Sequence, residues 1–592
     1  MKKKQDFQNK NSFSLSIKKL FKYTKKQWTP MIISVILGAI AVVFQIIGPI
    51  KIKDITQIIT EGVKIGSIDV EAVTKIGLFL LTIYLIGWFL SYFQSYISTV
   101  ITQKLAKRLR SDISKKINVL PLNYFDTHQH GDVLSIITND VDTVSQSLDE
   151  SIAGLVSNIL LFVGVLIAMF VTEWILALTV IASTIVGFGF SMIFLSRAQK
   201  YFVENQQNLA KLNAHIEENY SGHNVVGLYN AQESCGKEFK RVNKKLLNSG
   251  KKSQFISGVM MPIMGFVGNL GYVAVCVVGA VLASKRGVQY IGVITAFMIF
   301  VRLFSNPLSQ IAQSLTRLQS ASAAGLRVFN FLEENELENE DEKTPISMKV
   351  KGDVSFEHVK FGYNDDRVVI KDFSVDVKAG QKVAIVGPTG AGKTTLVNLL
   401  MRFYEINDGQ IKIDGVSTRD MRREDVHAMF GMVLQDTWLF KGTIKDNLRF
   451  NNPNVTDEQI VEACKKVGVD HFIQTLSDGY NTMVDDSINL SAGQKQLLTI
   501  ARTMLENRPM MILDEATSSV DTRTEILLQN AMDKVMEGRT SFIIAHRLST
   551  IKNADIILVL RDGDVVESGN HETLLEKGGV YAELYNSQFE EE

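Results

Sequence analysis

VAIVGPTGAGKTTLVN, from Val383 to Asn398, contains the most specific pattern in this chain. A short β-branched apolar run enters a glycine-rich turn and continues as an apolar helix pattern, so we predict a strand, a loop and a helix in that order. Gly387, Gly392, Lys393 and Thr394 fit G-x-x-x-x-G-K-[ST]. In this pattern the glycines let backbone N–H groups surround phosphates, the lysine reaches the β- and γ-phosphates, and the threonine hydroxyl ligates Mg²⁺. The stretch therefore predicts a nucleoside triphosphate site.

The composition indicates several unlike domains. The chain has 592 residues, which is too long for one core, and its hydrophobic residues concentrate in the first half. Lys+Arg and Asp+Glu balance at 63 each, so net charge argues neither for nor against a nucleic-acid partner. Cys235, Cys276 and Cys464 lie far apart without a C-x-x-C, which excludes a zinc site or a disulfide framework and is typical of a reducing compartment.

Residues 1–30 carry nine lysines, with apolar residues at roughly helical spacing among them. We predict an amphipathic helix on an anionic membrane face, the alternative being a solvated basic tail. Residues 31–318 then contain long apolar runs, each sufficient to cross about 30 Å of hydrocarbon. The runs are Met31–Ile50, Ile76–Gln103, Ser151–Thr172, Trp174–Ser196, Ser253–Ser284 and Gly287–Thr316. The sequence therefore predicts an all-α transmembrane domain of six helices.

The connections between the runs indicate the orientation. Those near 104–150 and 197–252 are long and Lys/Arg-rich, so we expect them, both termini and the second half of the chain to be cytoplasmic. Each connection has helical periodicity with a break near its middle, at Pro121 and at Gly222. This pattern predicts long cytoplasmic helix extensions that turn and return to the membrane.

Arg302 is the one charge within a run. It is either a functional residue or an arginine that snorkels or pairs with a backbone carbonyl, and the sequence leaves both interpretations open. Soft side chains in the last two runs line a binding cavity, or else face lipid or pack between helices. They are Met260, Met261, Met264, Phe297, Met298, Phe300 and Phe304.

Residues 319–350 end a helix and continue as an acidic linker, NELENEDEK. From 351 to 592 strand-like and helix-like segments alternate, which predicts an α/β domain on a mainly parallel sheet. Asp514 and Glu515 end a hydrophobic strand, where Asp514 can hold Mg²⁺ and Glu515 can polarise the attacking water. Gln435 and His546 also follow strands, and each alone would more often be structural.

A second anion-binding point is predicted at Leu490-Ser491-Ala492-Gly493-Gln494, because this stretch precedes a helix. The order of GPTGAGKTT, Gln435, LSAGQ, ILDEATSSVD and IIAHRLST resembles the ATPase of an ABC transporter. With six spans ahead of it, the chain resembles a half-transporter of the bacterial multidrug exporter type, with a P-loop ATP-binding-cassette domain. The resemblance implies ATP-driven export of hydrophobic or amphipathic small molecules, such as drugs, across the cell membrane by alternating access.

The resemblance also implies residue roles. Catalysis falls to Glu515, His546 and Gln435, and Mg²⁺ binding to Thr394, Gln435 and Asp514. ATP binding is implied for Tyr363, Gly387, Pro388, Thr389, Gly390, Ala391, Gly392, Lys393, Thr394, Thr395, Ser491, Gly493, Gln494 and Asp521.

In this family Tyr363 would stack on adenine, although an ordinary aromatic residue is the alternative. Ser491 and Gly493 would contact the γ-phosphate of ATP held by a second subunit, and Asp521 would contact across the dimer. The turns at 124–131 and 227–232 would be coupling helices.

Two stretches depart from the common pattern of homodimeric exporters. Ala492 stands where a glycine is usual, and MVDDSIN (Met483 to Asn489) replaces a V-G-E-x-G-type stretch. Both resemble the subunit of heterodimeric bacterial exporters that keeps the catalytic glutamate, so we expect a second half-transporter as partner, the alternative being a homodimer. A lipid or peptide exporter and an ATP-gated channel remain alternatives. The spans contradict a soluble DNA-repair ATPase, so we expect no nucleic-acid partner.

Overall fold

The computed structural model describes residues 15–345, 350–364, 367–435, 437–485, 490–514, 521–544 and 551–589. Within helices it leaves out the side chains of 150–153, 190–191, 193–198, 260–261, 264 and 267. The chain divides into two compact units. The membrane unit holds Met1–Asn118 and His130–Glu334, and the ATPase unit holds Val119–Gln129 and Asn335–Glu592.

Long helices build the membrane unit. Residues 15–23 are helical, Lys25–Gln27 is a 3₁₀ turn and Ile136–Asp140 is a π-helical turn. The α-helices of this half of the sequence are α1 Trp28–Ile65, α2 Val70–Val119, α3 Leu122–Thr127, α4 His130–Ser135, α5 Val141–Thr172, α6 Trp174–Ser221, α7 His223–Leu228, α8 Gln232–Arg286 and α9 Tyr290–Glu333. Of these, α3 belongs to the ATPase unit.

Six of these helices contain the six predicted runs, which confirms the predicted fold class. The last run is helical from Tyr290 rather than Gly287, because Gly287 adopts a positive φ of 93° that ends α8. Among the described residues, five helical segments are long and apolar enough to span a membrane, and the apolar part of α6, Trp174–Gly189, is shorter. The helices α2, α5, α6 and α8 extend well beyond their apolar runs, with the short α3 and α7 at the turns.

The core of the membrane unit lies between α5, α6, α8 and α9. Phe297, Phe300 and Phe304 of α9 are buried there, so they pack between helices. Met298 is 39% exposed, whereas the side chains of Met260, Met261 and Met264 lie outside the description.

The basic N-terminal segment packs by one face on other helices of this unit. Ser16 is fully buried and its hydroxyl donates to the Ser322 carbonyl of α9 at 2.8 Å. Tyr23 donates a hydrogen bond to Asp112 of α2. The segment therefore has an intramolecular contact face that the amphipathic pattern alone did not reveal.

The predicted linker begins inside a helix, since α9 continues through residues 319–333. The reason is burial: Ala321, Ala324, Val328 and Phe331 lie on the inner face of this last stretch. Beyond it, Glu340 is bound by Arg402 at 2.7 Å and by Arg423 at 3.0 Å in the ATPase unit. Burial acts to raise the pKa of Glu340, but these cations and the Arg423 N–H hold it below its ordinary value.

The ATPase unit is an α/β fold with two main sheets. Its strands are β1 Val354–Phe361, β2 Ile370–Val377, β3 Lys382–Val386, β4 Asp408–Ile413, β5 Val416–Ser417, β6 Phe430–Val433, β7 Gly442–Thr443, β8 Met483–Val484, β9 Met510–Asp514, β10 Thr540–Ile544, β11 Ile556–Arg561 and β12 Asp564–Gly569. Its further helices are α10 Lys393–Leu400, α11 Arg423–Met429, α12 Ile444–Arg449, α13 Asp457–Val467, α14 Asp470–Thr475, α15 Ala492–Glu506, α16 Thr522–Met536, α17 His571–Lys577 and α18 Val580–Phe589.

The larger sheet has the order β12-β11-β3-β10-β9-β6 and is parallel except for β12. Its central strands β3, β9 and β10 are almost wholly buried, as expected for parallel strands covered on both faces. Ile544 pairs with both Asp514 and Ile385, so the carboxyl ends of these strands lie side by side. A second sheet, in the order β2-β1-β4-β5, is antiparallel.

Candidate nucleotide site

The phosphate loop links β3 to α10 and requires two of its glycines. Gly387 has φ 152° and a Cβ there would lie 2.3 Å from the Leu560 carbonyl oxygen. Gly392 has φ 102° and a Cβ there would lie 2.8 Å from Ile370 Cδ1. Any larger residue would therefore clash and strain the backbone at both positions.

Lys393 points back into this loop. Its Nζ donates to the Gly387 carbonyl at 2.7 Å and to the Pro388 carbonyl at 3.2 Å. Burial lowers the pKa of Lys393, and the charge of Asp514 acts in the opposite direction. The loop thus holds a largely buried cation, with Asp514 as its electrostatic counterpart across the site.

A cavity of about 640 Å³ opens on this loop. It is lined by predicted residues from the loop, from β9 and from the segment after β6, namely Tyr363, Thr389, Gly390, Gly392, Lys393, Thr394, Thr395, Gln435 and Asp514. These residues meet because β3, β6 and β9 are parallel and end at the same edge of the sheet. The hydroxyl, amide and carboxylate oxygens of Thr394, Gln435 and Asp514 are ligands of the type that Mg²⁺ takes.

Three further residues line the cavity and were not predicted. Asn364, Arg367 and Val369 follow Tyr363 in the sequence, and the Arg367 N–H donates to the Asn364 carbonyl at 3.3 Å. The only sequence signal was the position of this polar run directly after Tyr363. Arg367 adds a second cation to the cavity besides Lys393, and it comes from the segment between β1 and β2.

Tyr363 connects the cavity to a segment that lies far away in the sequence. Its hydroxyl is 3.1 Å from Thr395 Oγ1, and its ring meets the Tyr404 ring edge to face at 5.1 Å between centroids. Tyr404 in turn donates a hydrogen bond to Asp126 of α3. Burial and this bond raise the pKa of Tyr404. Four side chains thus link the phosphate loop to the turn between α2 and α4.

Other predicted ATP-binding residues lie away from this cavity. Ser491 caps α15: its Oγ accepts from the Gln494 N–H at 3.2 Å, and its own N–H donates to Gln494 Oε1 at 2.9 Å. Gly493 is buried in the first turn, while Ser491 and Ala492 are exposed. Asp521 caps α16 by accepting from the Thr524 N–H at 3.0 Å, and its bonds to Thr524 lower its pKa.

The remaining loop residues are Pro388, whose carbonyl accepts from Lys393 and from the Ala391 N–H, and Ala391, which is buried. Glu515 and His546, the predicted catalytic pair, lie outside the described residues. Their neighbours Asp514 and Ile544 are paired in register at the site edge. The assigned roles of Glu515 and His546 therefore stay predictions.

Comparisons with known proteins agree with this architecture. A family model described as the ABC transporter transmembrane region matches residues 31–308, and one described as ABC transporter matches residues 370–518. The "Fatty acid ABC transporter ATP-binding/permease protein" of Mycobacterium bovis is 45% identical over 518 residues, covering 87% of this chain and 82% of its own. The "Probable multidrug resistance ABC transporter ATP-binding/permease protein YheH" of Bacillus subtilis is 32% identical over 505 residues, covering 84% and 74%.

A solved structure titled "Structure of a bacterial Atm1-family ABC exporter with ATP bound" has a similar fold. Its TM-score is 0.72 at 24% identity, covering 95% of this chain and 98% of that one. ABC ATPase domains bind ATP, their transporters are transport ATPases, and exporters of this kind function as dimers. With its helical membrane unit and bacterial relatives, this is a bacterial plasma membrane protein. The chain belongs to the ABC transporter family, as an exporter half-transporter that joins a transmembrane domain to an ATPase domain.

Proposed function

We propose that this chain exports hydrophobic or amphipathic compounds across the plasma membrane by alternating access, driven by ATP binding and hydrolysis at a dimer interface. The observation that carries the proposal is the position of Val119–Gln129, which comes from the helical half of the sequence yet belongs to the ATPase unit. Two hydrogen bonds fix it there, from Tyr404 to Asp126 and from the Leu337 N–H to the Val119 carbonyl at 2.9 Å. A change in the ATPase unit is thereby transmitted to α2 and α4.

ATP would bind with its phosphates on the loop from Gly387 to Thr395 and its adenine at Tyr363. Thr394, Gln435 and Asp514 would hold Mg²⁺, which supplies positive charge against the phosphates when bound. Lys393 neutralises further phosphate charge, and Glu515 polarises the attacking water. His546 contacts the γ-phosphate and orients it.

ATP completes its contacts only with a second subunit. The N-terminus of α15, where Ser491 and Ala492 are exposed, does not line the chain's own nucleotide cavity, which supports donation from Ser491 and Gly493 to ATP held by the partner. ATP shifts the transporter towards the closed dimer only to the extent that it binds the closed dimer more tightly than the open one. Hydrolysis through Glu515 resets the transporter.

The second turn would dock on the partner's ATPase domain. Its helix α7 presents Val225 and Leu228, which are 59% and 76% exposed, and Tyr229 beside them is 75% exposed. An apolar tip of this size on a cytoplasmic turn indicates a protein contact. We propose that both termini and the ATPase domain lie in the cytoplasm, as the Lys/Arg-rich connections favour.

The partner is a second half-transporter of different sequence. Support comes from Ala492, which is exposed at the capped start of α15 where a glycine is usual in homodimeric exporters. Purification of the chain expressed alone tests this proposal. An active, ATP-hydrolysing homodimer would show that the chain tolerates Ala492 on both sides.

Transport itself is tested in inside-out vesicles that contain the chain with its partner. We expect ATP-dependent accumulation of an amphipathic dye against its gradient, and loss of that accumulation in Glu515→Gln. Passive, downhill flux alone would favour an ATP-gated channel. Steady-state ATP turnover of Glu515→Gln near wild type would refute the role of this glutamate.

The Mycobacterium relative, named for fatty acids, favours a second candidate: export of a lipid-like amphiphile rather than of diverse drugs. The same vesicles separate the two. Broad stimulation of ATP hydrolysis by unrelated dyes supports drug export, and stimulation confined to alkyl-chain compounds supports lipid export.

A further inference from the structure

Helix α9 has two contrasting faces in the range that is apolar enough to span the membrane. One face is buried in the core through Phe297, Phe300 and Phe304. The other face follows the spacing of three or four residues through Met298, Arg302, Asn306, Ser309 and Gln313, all of them exposed or half-exposed. Residues at this spacing lie on one side of a helix, so α9 carries a polar stripe away from the core.

This stripe does not suit a lipid-facing position. A charged side chain in the hydrocarbon is costly, and such residues face a bundle interior or a water-filled cavity in most membrane proteins. Arg302 lies twelve residues after Tyr290, or about 18 Å along the helix, which is well inside a layer about 30 Å thick. Charged residues lie next to the start of α9: Arg286 at the end of α8 pairs with Glu173 at 2.6 Å, and its guanidinium carbon lies 5.6 Å from the centre of the Tyr290 ring. The stripe therefore suits the lining of a transport pathway better than a lipid-facing surface.

Arg302 has one contact within the described part of the chain. Its guanidinium carbon lies 5.9 Å from the centre of the Tyr272 ring on α8. No acidic side chain among the described residues pairs with it, and a guanidinium binds carboxylate and phosphate groups through its planar set of N–H donors. An aromatic face attracts the guanidinium by cation–π interaction and leaves its N–H edge available for an anion.

We infer that Arg302, placed by Tyr272, binds the anionic headgroup of the transported compound. The substrate class is then an amphiphile with an acidic head and an alkyl chain. This inference rests on the proposed export function and gives it a charge preference. An acidic head on an alkyl chain is offered both by a free alkyl carboxylate and by an anionic phospholipid. The rival explanation is that an acidic residue of the partner pairs with Arg302.

The test uses the full transporter with its partner in nanodiscs of phosphatidylcholine. Three probes share a twelve-carbon chain and differ in the head: dodecanoate, dodecanol and dodecylamine. ATP hydrolysis is measured against the concentration of each probe for wild type, Arg302→Gln and Arg302→Lys. Arg317→Gln removes a positive charge from the same helix just beyond the apolar run that ends at Thr316, and it is the matched control.

We expect dodecanoate to stimulate wild type at the lowest concentration. In Arg302→Gln the dodecanoate concentration for half-maximal stimulation of ATP hydrolysis should rise roughly tenfold or more, the size expected for a lost charge-assisted contact. The corresponding concentration of dodecanol should not change. Arg302→Lys should recover part of the preference, and Arg317→Gln should match wild type. To test for a phospholipid source, ATP hydrolysis is also measured in nanodiscs that contain phosphatidylglycerol in place of added dodecanoate. If Arg302→Gln needs a similarly higher content of phosphatidylglycerol than wild type, the headgroup belongs to a phospholipid.

Three results would overturn the inference. Equal sensitivity of wild type and Arg302→Gln to dodecanoate would exclude the headgroup contact. Dissociation of Arg302→Gln from its partner on size-exclusion chromatography would assign Arg302 to the subunit interface. A preference of wild type for dodecylamine would give the substrate the opposite charge. If dye accumulation in vesicles is intact in any of these cases, the export function stands and only the headgroup site fails.

Discussion

Replacing Tyr404 by phenylalanine should weaken the connection between ATP hydrolysis and transport. The substitution removes one hydroxyl and with it the hydrogen bond to Asp126 of α3. The ring remains, so the edge-to-face packing on Tyr363 at 5.1 Å and the fold around the nucleotide cavity should persist. The perturbation is therefore confined to the bond between the ATPase core and the turn.

The size of the effect follows from the kind of bond and its exposure. A hydrogen bond to a charged group contributes about 1.5–3 kcal/mol when it is shielded from water. Asp126 is exposed and Tyr404 half-buried, so solvent reduces the value to about 1 kcal/mol. This energy corresponds to roughly a fivefold shift in the population of the docked turn.

The assay compares transported dye per ATP hydrolysed in vesicles for wild type, Tyr404→Phe, Asp126→Asn and the double variant. We expect both single variants to lower this ratio by up to about fivefold, and the double variant to lower it no further, because both remove the same bond. Tyr480→Phe is the matched control, since Tyr480 donates a comparable bond to Asp470 at 2.6 Å within the ATPase unit. An unchanged ratio in Tyr404→Phe, or fully additive losses in the double variant, would refute the reasoning.

Three further predictions concern the ATPase unit. Glu340→Gln should lower the free energy of unfolding by about 1–3 kcal/mol, because it removes the negative charge that pairs with the buried Arg402. Glu342 is exposed, so Glu342→Gln should have no effect in thermal unfolding. Burial lowers the pKa of His427, so the unfolded state binds more protons than the folded state. The free energy of unfolding should therefore fall as the pH drops below about 6.5. Denaturant titrations at several pH values should show a weaker pH dependence for His427→Gln. Burial raises the pKa of the Cys464 thiol to about 12, so a maleimide at pH 7.5 should label it only after unfolding, while half-buried Cys235 reacts in the folded protein.

The sheet and the phosphate loop could be predicted because their signals are local. Continuous apolar runs such as Met510–Leu513 encode strands that are buried on both faces, and the glycines at 387 and 392 encode a backbone that other residues cannot adopt. The membrane helices were equally clear, since the length of an apolar run is set by the thickness of the bilayer. The conformation of each of these elements is determined by the residues within it, so a local pattern was enough to predict it.

The contacts that extend the site could not be predicted in this way. Tyr404 and Asp126 are 278 residues apart in the sequence, and neither stands in an unusual local pattern. Arg367 lines the nucleotide cavity and bonds through its N–H to the Asn364 carbonyl, and no local sequence pattern marks either contact. The N-terminal lysine-rich segment gave a clear amphipathic pattern, but its inner face packs on α9 through Ser16, a residue without any apolar signal. Tertiary packing decides such contacts, and spacing within one segment does not.

The capping box at the start of α15 orders hydrogen-bond donors that do not line the chain's own nucleotide cavity. The Ser491 oxygen accepts the Gln494 N–H, and the Ser491 N–H is used by Gln494 in return. Within the described part of the chain, no acceptor takes the serine O–H or the first N–H groups of the helix, at Ala492 and Gly493, so they remain as donors. The capping box thus fixes the direction of these donors before any anion arrives, which reduces the entropy that a bound phosphate must offset. They do not line the chain's own nucleotide cavity, which supports the proposal that they bind a phosphate of ATP held by a second subunit. On that proposal, ATP-driven closure of the dimer uses a helix end that each subunit has already ordered.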